Sequence, residues 1–98
     1  MNNEEILEVT LNFSDCDYLG EVHKIIREQL NLPEWYGCNL DALWDCLTGI
    51  MQTPANIKIV FKPEKKSTLA LSDEIQRIIE VFKEAADEYG EIRFVVEK

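Results

Sequence analysis

Asp41 and Asp45 are two carboxylates four residues apart, with Thr48 and Gln52 following them. At about 100° per residue, these four side chains fall within a sector of roughly 60° on a helix. Like charges at i and i+4 repel by about 0.2–0.5 kcal/mol. Asp41, in the first turn, recovers part of that from the positive end of the helix dipole; Asp45, one turn on, recovers less. No Lys or Arg occurs between Arg27 and Lys58, whereas Glu28, Glu34, Asp41 and Asp45 all do. A pair that breaks a local rule without visible compensation marks a candidate site. Such carboxylates can act as general acid and base, hold a divalent cation, or meet the cations of a partner. A merely solvated acidic face is the competing reading, and spacing alone leaves it open.

The segment that must position them runs from Leu32 to Pro54. Pro33, Gly37 and Asn39 predict a loop, and Asn39 is suited to cap a helix that begins after it. Leu40, Leu43, Trp44 and Leu47 recur at i, i+3, i+4 and i+7, which predicts one apolar stripe opposite the aspartates. Gly49 and Pro54 bracket its end.

The remaining elements form a simple alternation. Leu7, Val9, Leu11 and Phe13 alternate with polar residues, predicting a strand over 6–13. A helix is expected from about Tyr18 to Leu30, with Leu19, Val22, Ile26 and Leu30 inward and Ile25 beside them. His23 reads as an exposed or packing residue, since no second His or Cys stands at metal-ligand spacing. A second strand is expected over 56–61. The polar stretch from Lys62 to Ser67 reads as a solvated connection. Ser72 is placed to cap a long helix to about Tyr89, with Gly90 after it, and with Ile75, Ile78, Ile79, Phe82, Ala86 and Tyr89 on its apolar face. Ile92, Phe94 and Val96 mark a last strand. Strands separated by helices predict an α/β fold with parallel pairing.

The chain has 98 residues, 46% of them hydrophobic, which suits one domain over 1–98 with a real core. Its formal net charge of −9 argues against direct nucleic-acid binding and for a basic protein partner. No apolar run approaches membrane-span length. There are three cysteines, an odd count, and the opening MNNEEILEV shows no leader pattern, so free thiols in a cytoplasmic protein are expected. One His and no CxxC make zinc an unsuitable guess. No nucleophile–base set, P-loop or GxGxxG is present. Carboxylates alone on a convex helix make a shallow, wet site, so neither catalysis nor a cofactor or metal is expected.

The run Asn39-Leu40-Asp41-Ala42-Leu43-Trp44-Asp45-Cys46-Leu47-Thr48-Gly49, with Leu32-Pro33-Glu34 and Tyr36-Gly37 before it, resembles the signature of the barstar family of intracellular ribonuclease inhibitors. The likeness continues more weakly over nearly the whole chain, in Val81-Phe82, Glu84-Ala85 and the last strand. It implies a three-stranded parallel sheet packed against three to four helices, with a short extra helix between Pro63 and Leu71. It also implies a free monomer that blocks the phosphate-binding site of a basic, extracellular-type ribonuclease of the barnase kind. On this resemblance Asp45 is the carboxylate placed in the nuclease's phosphate site and Asp41 the second. Thr48 and Gly49 line the same edge, Glu84 adds an acidic contact, Trp35 supplies a stacking surface, and Trp44 divides between packing and interface. Departures stand at Trp35 for the family's tyrosine, Cys38 and Gln52 for glutamates, and Ile50 for a tryptophan. The alternative is an acidic interaction module with a non-nuclease basic partner; a metal-dependent hydrolase is a distant third.

Overall fold

The computed structural model describes residues 6–50, 54–88 and 92–98, with Ile50 described by its backbone alone. Three strands, β1 (Leu7–Asn12), β2 (Ala55–Val60) and β3 (Ile92–Glu97), form one parallel sheet in the order β1-β2-β3. The register aligns Val9 with Ile57 and Phe94, and Leu11 with Ile59 and Val96. One face therefore carries the apolar rows. The other carries Glu8, Thr10, Asn56, Lys58, Arg93 and Val95, all exposed. Strict alternation is the consequence of a sheet covered on one side only.

The helices are α1 (Leu19–Gln29), α2 (Leu40–Asp45), α3 (Lys66–Leu69) and α4 (Ser72–Glu88). α1 packs on β1, α4 packs on β3, and α2 packs on α4. The apolar stripe expected of α1 is largely enclosed, with Val22 and Ile26 fully buried and Leu30 nearly so. α1 ends in a Schellman arrangement, with the Leu32 N–H donating to the Arg27 carbonyl at 2.9 Å and the Asn31 N–H to that of Glu28 at 3.3 Å. Asn31 supplies the left-handed residue, φ 55°, that such an ending needs. α3 is the short extra helix that the resemblance implied, and the Thr68 hydroxyl ties it to the Cys16 carbonyl at 2.7 Å.

Two expectations shift. Ser72 does not cap α4 but is its first residue, and its hydroxyl donates back to the Leu69 carbonyl at 2.7 Å. Ala85, absent from the predicted face of α4, is fully buried beside Ile78 and Phe82. Tyr89 and Gly90 lie outside the described residues.

Candidate partner-binding face

Asn39 caps α2 as its type predicts, with its side-chain oxygen accepting from the Ala42 N–H at 2.8 Å and its amide donating to the Gly37 carbonyl at 3.2 Å. A Cβ on Gly37 would stand 3.3 Å from that amide, so the turn favours a residue without a side chain. Regular α-helix lasts only through Asp45. From Cys46 to Ile50 the backbone widens into a π turn. In a regular helix the Thr48 N–H would bond the Trp44 carbonyl. Here the Thr48 hydroxyl donates to that carbonyl at 2.7 Å, and Gly49, next in line, is a weak helix former. Widened turns of this kind occur often at functional sites.

Leu43, Cys46 and Leu47 are buried, while Leu40, expected on the apolar stripe, is 36% exposed and Trp44 is half-buried against the core. At 100° per residue, the mean direction of Asp41 and Asp45 lies about 170° from the mean of the three buried residues. Both aspartates are exposed, and neither makes an ion pair among the described residues. Because Trp44 is half-buried, Trp44→Ala should cost less than the roughly 3–5 kcal/mol of a fully enclosed aromatic.

Thr48 is half-buried and Gly49 exposed on the edge of the same turn. A Cβ at Gly49 would meet nothing within 4 Å. The internal packing therefore does not require a glycine there. Gln52 lies outside the described residues, so its place on the acidic face is not described. Glu84 is exposed on α4, the helix that packs against α2 and the π turn.

Trp35 belongs to the loop that leads into α2 and is 72% exposed. Its neighbour Tyr36 is buried. The Tyr36 hydroxyl lies 2.8 Å from His23 Nδ1, with the rings tilted at 51° and centroids 5.7 Å apart. This tether between α1 and the loop was not legible in the sequence, since a lone His and a loop Tyr carry no joint signal. It holds the loop that presents Trp35. Cys38, also in the loop, is exposed and adopts φ 54°, a conformation L residues with side chains seldom take.

Burial lowers the His23 pKa below its usual 6.5, because the imidazolium would lose its hydration. The unfolded chain then takes up a proton as pH falls through about 6.5 while the folded chain stays neutral. Stability should therefore fall with pH below about 6.5, down to the lowered folded value. The exposed carboxyls of Asp17 and Glu97 are held below their usual values by bonds from Lys65 and Ser67 and from Lys62 and Lys58, so their protonation lies toward lower pH still. Denaturant midpoints at about pH 7 and pH 5.5 for the parent and for His23→Gln test the effect, with the larger drop expected in the parent. Equal drops would clear His23 as the source.

Among the described residues, no group of three or more His, Cys, Asp or Glu is placed to hold a metal, and no helix is long and apolar enough to cross a membrane. A family model described as Barstar (barnase inhibitor) matches residues 6–97. A protein of Bacillus subtilis (strain 168), named "Putative ribonuclease inhibitor YrdF", is 32% identical over 91 residues, which cover 92% of this chain and 98% of that protein. With its parallel sheet, its capped acidic helix and a match running almost from end to end, the chain belongs to the barstar family.

Proposed function

We propose that this chain is a ribonuclease inhibitor that acts in the cytoplasm on a basic, barnase-like, guanyl-type enzyme, and that it does so with the face built on α2. The observation that carries the reading is the outward Asp41–Asp45 pair, unpaired among the described residues and opposite the buried side of its helix. Nucleases of this kind hold RNA phosphates with cationic side chains, and carboxylates can take the place of those phosphates. Charge-assisted bonds from Arg to carboxylate supply both strength and register. Repulsion within the free pair is relieved once the partner's cations lie between and around the two charges. Exposed Trp35 adds an aromatic surface of the type that anchors interfaces. The bare backbone at Gly49 leaves room for close approach along the same edge. The relative's name, a ribonuclease inhibitor, agrees with this reading.

The expected result is stoichiometric inhibition without turnover by this chain. Titrating nuclease activity against added protein, across several small basic ribonucleases, measures it. If none is inhibited at about micromolar concentration, which corresponds to roughly 8 kcal/mol of binding, the reading gives way to an acidic module with a non-nuclease basic partner.

A further inference from the structure

Beside the acidic helix lies a hollow of about 230 Å³ between the loop, the start of α2 and the first turns of α4; His23, Cys38, Leu40, Glu74, Arg77 and Ile78 are among its lining residues. It is continuous with the proposed face through Cys38, Asn39 and Leu40. Arg77 is exposed and makes no ion pair among the described residues. It is a cation in a chain of net charge −9. Arg77 and Glu84 are seven apart on α4, hence on one flank, about 10.5 Å along the axis. The flank of α4 that carries Glu84 is thus not uniformly acidic.

The floor of the hollow carries a second signal. His23 is 97% buried, being 3% exposed. The Tyr36 hydroxyl must place its proton, and His23 Nδ1 is the acceptor it meets among the described residues. With the Tyr36 hydroxyl donating to Nδ1, the ring proton sits on Nε2. No described group bonds Nε2, and His23 lines the hollow.

We propose that this hollow is a second anchor point for the nuclease, receiving an Asp or Glu side chain of the partner between the Arg77 guanidinium and the His23 Nε2–H. The inference rests on the nuclease-inhibitor reading and adds an acidic feature that the otherwise basic partner must carry. Leu40 and Ile78 supply apolar contact for the stem of such a side chain. The Asn39 amide is already committed to Gly37 and Ala42. Among the described residues Glu74 is the one carboxylate lining the hollow, and it sits in the first turn of α4, where the helix dipole already favours it. Two free donors against one internally stabilised acceptor select an anion over a cation. An isolated cation beside an acidic face also fixes orientation, because a partner that docks the wrong way round meets like charge.

The test uses whichever basic ribonuclease the parent inhibits, with association and dissociation rates measured at fixed salt. Arg77→Glu makes the chain more acidic, so a purely long-range field would speed association and tighten binding. The expected result is the reverse for affinity: Arg77→Glu weakens binding about tenfold or more through faster dissociation. Arg77→Gln should do so by less, and Glu74→Gln should leave binding unchanged or tighter. Arg77 is exposed, and melting curves confirm that each variant folds. Unchanged or tighter binding by Arg77→Glu overturns the inference and leaves the inhibitor reading standing. Tightening by Arg77→Glu together with weakening by Glu74→Gln would place a partner cation in the hollow instead. A parent that inhibits no ribonuclease sinks the inhibitor reading and this inference with it.

Discussion

Asp45→Ala should cost most of the affinity for the nuclease, about 2–5 kcal/mol, and leave the fold at least as stable as the parent. The scale is that of buried charge pairs measured in protein complexes, the barstar family's own among them, and is borrowed from those. The split between binding and stability follows from the geometry of this chain. Asp45 is exposed on the side of α2 away from Leu43, Cys46 and Leu47, and no cation pairs with it among the described residues. Removing its carboxylate deletes no ion pair there and relieves repulsion with Asp41. In the proposed complex the same deletion would leave a desolvated Arg or Lys of the nuclease unmatched, and that penalty should dominate. Asp41→Ala should lose less, because Asp41 lies in the first turn, where the helix dipole already spreads part of its charge. Dissociation constants and melting curves for both variants, measured together, check the ranking. An Asp45→Ala chain that binds normally would remove α2 from the interface.

The acidic pair was legible because its signal is local: two charges at helical spacing, a capping Asn39, and an interval of sequence without cations. The order of strands and helices was legible for the same reason, since alternation along the chain is enough to call for parallel pairing. What the spacing missed depends on geometry that regular periodicity does not contain. The π turn after Asp45 coincides with the bond from the Thr48 hydroxyl to the Trp44 carbonyl; Cys46 is buried there, while Leu40, at the start of α2, is 36% exposed. A 100° wheel assumes regular α geometry and so does not announce the widened turn. The His23–Tyr36 tether joins residues 13 apart through the fold, and the hollow with Arg77 joins α4 to the loop before α2. Both are tertiary, and neither residue type announces its partner.

Leu43→Ala should do the opposite of Asp45→Ala, losing about 2–5 kcal/mol of stability while the folded fraction still binds. Leu43 is fully buried, on the helix side opposite the aspartates. Truncation there removes apolar contacts and leaves a cavity, and the close-packed neighbours relax only in part. Against a typical domain stability of about 5–15 kcal/mol, such a loss brings the chain close to unfolding under mild denaturant. Leu40→Ala is the control that reads the rotation of the helix. Straight periodicity puts Leu40 on the same stripe as Leu43 and predicts comparable losses. With Leu40 36% exposed, the loss should be well under that of Leu43→Ala, on the order of 1 kcal/mol. Urea midpoints for the two variants at neutral pH separate the cases, with residual inhibition measured at low denaturant, where both are folded. Equal destabilisation would mean that Leu40 packs as fully as Leu43 and that the first turn of α2 is not open to solvent.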